Sequence, residues 1–75
     1  MDDVAVGVKK AAELFDEKTG RKVLVVLWED GHVSICSGGP EHECYVADKG
    51  GEKLYYIAQA YYSALGMKVK SLHES

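Results

Sequence analysis

The sequence predicts an α+β fold: a small antiparallel three-stranded sheet packed by two helices in the order α-β-β-β-α(-β), with a fourth C-terminal edge strand left open. Three observations carry this reading. Val23-Leu24-Val25-Val26-Leu27-Trp28 runs into Asp30-Gly31 and emerges as the alternating segment Val33-Ser34-Ile35-Cys36, which is a strong short-range signal for a β-hairpin. Apolar residues recur at helical spacing before the hairpin, and again near the C-terminus.

Seventy-five residues make one domain, 1–75, with no repeat or linker dividing it. A chain this short buries only about 60–65% of its extended surface, so partner binding or self-association would add to a thin stability margin. The net charge of −3 supplies no global field for a polyanion or an anionic membrane. No apolar run approaches the roughly 18 residues of a membrane span, and Met1-Asp2-Asp3 lacks the basic start of a secretion signal. The expected compartment is the cytosol, where two cysteines are expected as free thiols.

Residues 3–18 carry the first helical pattern. Val4, Val8, Ala11, Ala12, Leu14 and Phe15 fall on one arc, and Lys9, Lys10, Glu13, Asp16 and Glu17 on the other, with Gly20 as the stop. A two-residue loop at Asp30-Gly31 would pair Trp28 with Val33 and Leu27 with Ser34. That register turns Leu24, Val26, Trp28, Val33 and Ile35 toward the helices. It leaves Val23, Val25 and Leu27, with His32, Ser34 and Cys36, on a second face more apolar than solvent exposure requires.

Ser37-Gly38-Gly39-Pro40-Glu41-His42 reads as a loop, followed by a short strand over 43–47. A five-residue loop over 38–42 sets Cys36 opposite Cys44, and a four-residue loop sets Ile35 there instead. A second helix runs from about Gly51 to Leu65 with Gly66 as its end, its core arc read as Leu54, Ile57, Ala58, Tyr61, Ala64 and Leu65. Met67–Leu72 alternates and forms either an edge strand with outward lysines or a loose tail.

His32, Cys36, His42 and Cys44 make a chemically competent zinc set. Their spacing departs from the usual paired-cysteine turns, however, and four residues along a strand separate His32 from Cys36 by roughly 13 Å. Strand cysteines more often pack as small hydrophobes, so neither a metal nor any other cofactor is expected. A Cys36 or Cys44 thiol near His42 would be the basis of a small thiol or metal-dependent enzyme. A domain of this size has little room to enclose a water-excluding site, and the expectation is that it is not an enzyme.

The segment Gly39-Pro40-Glu41-His42 in an inter-strand loop, with Lys49 and Lys53 near the second helix, resembles the double-stranded RNA-binding domain family. The resemblance covers about a third of the chain. It implies His42 in a minor groove and Lys49 and Lys53 at the phosphates. Here the loop follows the second strand instead of the first, and the lysine cluster is reduced to two residues beside Glu52.

Tyr55, Tyr56, Tyr61 and Tyr62 stand on one helix, and no single face buries all four. Tyrosine combines large contact area with a polar tip and few rotors, which suits interfaces. The expected function is therefore a small acidic protein–protein interaction module, an inhibitor or adaptor of the phage type, self-associating as a homodimer. Its expected contact residues are Tyr55, Tyr56, Tyr62, Val23, Val25 and Leu27.

Overall fold

In the computed structural model the chain is described over residues 7–37, 43–47 and 49–74, with residues 43–47 and 74 described by backbone alone. Five strands, β1 (Val8–Phe15), β2 (Lys22–Trp28), β3 (Val33–Ser37), β4 (Glu43–Ala47) and β5 (Lys68–Glu74), form one sheet with a single helix, α1 (Gly51–Ala64), between β4 and β5. The spatial order is β4-β3-β2-β1-β5, and every neighbouring pair is antiparallel. The α+β class and the antiparallel sheet are as the sequence predicts. The details differ: among the described residues five strands replace three with an optional fourth, and one helix replaces two.

The missing helix is the first. Residues 8–15 form β1, paired with β2 on one side and β5 on the other; residues 1–6, where the expected helix would begin, lie outside the described residues. Val8-Lys-Lys-Ala-Ala-Glu-Leu-Phe15 contains good helix formers, but propensity is worth only tenths of a kcal/mol per residue. A strand between two partners satisfies its main chain on both sides, and small Ala11 and Ala12 suit a strand packed on both faces. Leu14 and Ala12 point toward α1 and are buried at 0% and 2% exposure. Gly20 takes its expected left-handed φ of +76°, but it closes the β1–β2 turn, where its N–H donates to Asp16 O at 2.8 Å.

The central hairpin forms with its register displaced by one residue. Leu27 pairs with Val33, Val26 with Ser34, Val25 with Ile35 and Leu24 with Cys36. The cause is the turn. Trp28 N–H donates to His32 O at 2.9 Å, and Gly31 N–H donates to Trp28 O at 3.0 Å, so three residues, Glu29-Asp30-Gly31, form the loop. Gly31 adopts φ +94°, the left-handed position of a type I turn with a bulge. A one-residue slip exchanges the faces of a strand. Accordingly Val23, Val25, Leu27 and Val33 pack under α1 with Tyr55 and Ala58, while Leu24, Val26 and Trp28 take the opposite face. On that face Trp28 Nε1 donates to Ser34 Oγ at 2.8 Å.

α1 agrees with the expected second helix to within a residue at its C-terminus, and Gly66 ends it with φ +96°. Its rotation is different. Tyr55 and Ala58 are the buried residues, with Leu54 and Tyr62 partly buried beside them, whereas Ile57, Tyr61 and Leu65 of the expected core arc are 54%, 60% and 62% exposed. Small Ala58 lets the helix approach the sheet closely, and the two tyrosines fill the flanks. The C-terminal segment takes the edge-strand option: β5 returns to pair with β1, Leu14 facing Val69. The strand over 43–47 is β4.

The hairpin turn supplies a direct test. Left-handed φ costs a residue with a Cβ about 1–2 kcal/mol, and among the described residues a Cβ on Gly31 would meet no atom nearer than Lys49 Cβ at 4.0 Å. Gly31→Ala is therefore expected to lower unfolding free energy by about 1–2 kcal/mol through backbone conformation alone, read from the urea midpoint with the slope unchanged.

Candidate functional site

The expected contact residues divide sharply between interior and surface. Val23, Val25 and Leu27 are 7%, 0% and 1% exposed, and Tyr55 is 3% exposed. All four belong to the core under α1, because the displaced register turns odd-numbered β2 residues inward. Tyr62 is partly buried against that core, and Tyr56 alone of the expected set stands well out, at 49% exposure.

The surface that does emerge is the outward side of α1. Ile57, Tyr61 and Leu65 recur every four residues and lie on one flank of the helix, all more than half exposed. Glu52 and Tyr56 lie on the other flank, where they reach β1. Lys10 Nζ is 2.6 Å from Tyr56 Oη, and Lys9 Nζ is 3.2 Å from Glu52 Oε1. These contacts hold one flank against β1, and Ile57 and Tyr61 lie on the other, exposed flank. Contacts between α1 and the sheet involve β1, β2, β3 and β5, but not β4.

Two tyrosine pairs stiffen the surface. Tyr55 and Tyr56 meet edge to face at 5.2 Å, and Tyr61 and Tyr62 at 5.1 Å. In each pair the inner ring is anchored against the core and the outer ring leans on it. The outer rings are thus restrained by their inner neighbours.

Charge is missing from this helix beyond Glu52 and Lys53 in its first turn. Leu54-Tyr-Tyr-Ile-Ala-Gln-Ala-Tyr-Tyr-Ser-Ala-Leu-Gly-Met67 is a run of fourteen residues without an acidic or basic side chain, although Tyr56, Ile57, Ala60, Tyr61, Ser63, Ala64 and Leu65 are exposed. A surface helix normally presents charge to water, and one that is apolar all round belongs in an interior. The absence of charge was the signal in the sequence for these residues.

The zinc set does not assemble. Cys36 is disulfide-bonded, and the chain's other cysteine, Cys44, is its direct cross-strand neighbour. The bridge thus ties β3 to β4 in the register of the five-residue loop, and it takes the Cys36 thiolate out of metal chemistry. His32 sits at the hairpin turn, its Nδ1 2.7 Å from Asp30 Oδ2, at the other end of β3. His42 lies outside the described residues, as does the rest of the Gly39-Pro40-Glu41-His42 loop. Among the described residues no cluster of three or more metal-ligating side chains occurs. Lys49 and Lys53 are exposed near the start of α1, but the first helix of the RNA-binding domain order is replaced by β1.

Two clefts flank the C-terminal end of α1, of about 190 and 140 Å³, with Asp16 and Leu65 common to both. Both fall below the range of roughly 300–1,000 Å³ that encloses a small-molecule ligand. No described helix is long and apolar enough to cross a membrane. Comparison of the chain with protein-family models, curated proteins and solved structures returns no match.

Three exposed carboxylates are held below their ordinary range. Asp16 and Asp30 lie below 3.8, chiefly because they accept the backbone N–H groups of Lys18 and His32 respectively, the latter at 3.0 Å. Glu52 lies below 4.5, chiefly through its hydrogen bond from Lys9 and the charge of Lys10. A carboxylate depressed in the folded state stabilises fully above its unfolded value and loses that contribution as pH falls through the folded one. Stability is thus expected to be insensitive to these groups at neutral pH and to decline below about pH 4. Asp30→Asn should flatten part of that decline in urea unfolding run from pH 6 to pH 2.

Closing the nine-residue loop 36–44 constrains the unfolded chain by about 2.5 kcal/mol in the loop-entropy account. Reduction, or Cys36→Ser, is expected to cost that amount. Amide exchange should accelerate first in β4, which contacts no element except β3.

Proposed function

We propose that this chain is a small acidic protein-binding module that acts by contact and not by catalysis, and that its contact surface is the outward side of α1 around Ile57, Tyr61 and Leu65. The observation that carries the reading is the fourteen-residue stretch without charge that is nonetheless exposed over most of its length. An apolar ridge of this kind has a free-energy reason to be covered, at roughly 25 cal/mol per Å² of apolar area removed from water. Tyr61 adds a hydroxyl tip that keeps the ridge soluble while it is uncovered. Binding of this type suits an inhibitor or adaptor, in which affinity for a partner is the whole activity.

The cytosolic setting expected from the sequence stands in tension with the Cys36 disulfide, since structural disulfides persist in oxidising compartments and are rare in reducing ones. Alkylating free thiols at the moment of cell lysis and weighing the chain decides between the two settings.

Photo-crosslinking tests the surface in the native host. A benzophenone side chain at position 61 is expected to give a covalent adduct with a partner chain, and one at Thr19, exposed on the β1–β2 turn, is expected to give none. Equal yield from both positions, or no adduct from position 61, overturns the reading. Leu27→Ala provides the contrast: at 1% exposure in the core it should lower stability by about 2–5 kcal/mol, whereas Tyr61→Glu should leave stability within about 0.5 kcal/mol and abolish the adduct from a benzophenone at position 57.

A further inference from the structure

We propose that the cleft lined by Asp16, Arg21, Val23, Tyr62, Leu65 and Met67 receives the C-terminal residue of a partner protein, with an apolar side chain in the cleft and the terminal carboxylate on Arg21. The inference rests on the contact surface proposed above, which shares Leu65 with this cleft, and it names the chemistry of the partner.

The end of α1 shapes the cleft. Gly66 N–H donates to Ser63 O at 2.9 Å and Met67 N–H donates to Tyr62 O at 3.2 Å, the two bonds of a helix closed by a left-handed glycine. That turn brings Met67 back toward Tyr62, and both pack against the core cluster. Val23, at 7% exposure, supplies the floor from the start of β2. The mouth of the β1–β2 turn completes the rim, where Asp16 N–H donates to Arg21 O at 2.9 Å. The apolar lining is thus fixed by core packing, and Leu65 at its edge continues the ridge of Ile57 and Tyr61.

Charge selects the sign of the ligand. Asp16 Oδ1 accepts the Lys18 N–H at 2.9 Å, and Glu17 Oε1 holds Lys68 Nζ at 2.7 Å, so both carboxylates that border the two clefts here are engaged within the chain. Lys18 and Arg21 are exposed and form no ion pair among the described residues. The uncompensated charge at this end of the molecule is therefore cationic, opposite in sign to the net charge of −3. Arg21 is held at its backbone, where its N–H donates to Thr19 Oγ1 at 3.3 Å. Its guanidinium can offer a carboxylate two parallel N–H groups.

Size limits the occupant to one residue. The cleft holds about 140 Å³, and a cavity of about 150 Å³ holds one benzene-sized group. A leucine or phenylalanine side chain fills such a space, and a single buried anchor of this kind can dominate a protein contact. The apolar lining and Arg21 belong to one residue-sized cleft, so the apolar group and the anion must stand within one residue of each other. A C-terminal leucine or phenylalanine carries both. A basic segment would meet Lys18 and Arg21 with no open carboxylate to receive it.

Amide NMR of the oxidised full-length chain, titrated with small probes at millimolar concentration, tests the proposal. N-acetyl-L-leucine is expected to shift the amides of Arg21, Val23, Leu65 and Met67. N-acetyl-L-leucinamide, which lacks the charge, and Arg21→Gln titrated with N-acetyl-L-leucine should each show about fivefold weaker binding. No shift at these amides, or equal binding of the amide, overturns the proposal. Equal binding of acetate reduces the site to an adventitious anion contact and overturns the apolar anchor. N-acetyl-glutamyl-leucinamide binding as well as N-acetyl-L-leucine overturns the chain end in favour of an internal acidic segment. The crosslink from position 61 reads the ridge independently, so an adduct there without any shift at the cleft removes this inference and leaves the α1 surface standing.

Discussion

The three-residue turn at Glu29-Asp30-Gly31 decides more of this structure than any other feature. Gly31 at φ +94° lets the loop hold one residue more than the tightest hairpin, and that residue fixes which side of β2 faces α1. The same turn also gathers the neighbouring segments. Gly31 O accepts from Gly51 N–H at the start of α1, at 3.0 Å, and Gly7 O accepts from Glu29 N–H at 2.9 Å. Asp30 stiffens the turn from within by accepting the His32 N–H and meeting its ring. The helix start, the entry to β1 and the β2–β3 register are thus set from one corner of the sheet.

The sequence made some of this legible and hid the rest for identifiable reasons. The hairpin, the strand at 43–47, the helix ended by Gly66 and the α+β class follow from turn residues and periodicity, which act locally. The β1 strand does not, because Lys9, Lys10, Ala11, Ala12, Glu13 and Leu14 favour a helix on their own and take a strand only when β2 and β5 flank them. The face of β2 was hidden by a single residue of loop length. Both of its faces are apolar, so composition could not correct the error, and Val23, Val25 and Leu27 read as surface when they are core. In α1 the same ambiguity arises from the other direction: a helix apolar all round has no unique inward face. Tyr55 and Tyr62, read as contact residues, anchor the core, and Ile57 and Tyr61, read as core, form the ridge.

This last exchange links the fold to the proposed function. A helix whose sequence does not specify one buried side is a helix with two sides to bury. The sheet takes one through Tyr55, Ala58 and Tyr62, and the other remains open at Ile57, Tyr61 and Leu65. In a chain of seventy-five residues, where folding leaves much surface uncovered, that open side is where further burial is available.

The route of the chain through the sheet also governs how the molecule comes to exist in time. From β1 to β4 each strand pairs with its predecessor across a turn or loop, so these contacts close over short stretches of chain and form quickly. β5 breaks the sequence: it crosses back over α1 to the far side of β1, joining Leu14 to Val69 across most of the chain. Closing a contact over that separation is entropically slow. Until it closes, one side of β1 is bare main chain, and β1 is the segment whose own residues favour a helix. Pairing with β5 on one side and β2 on the other is what holds β1 extended against the helical preference of its own residues.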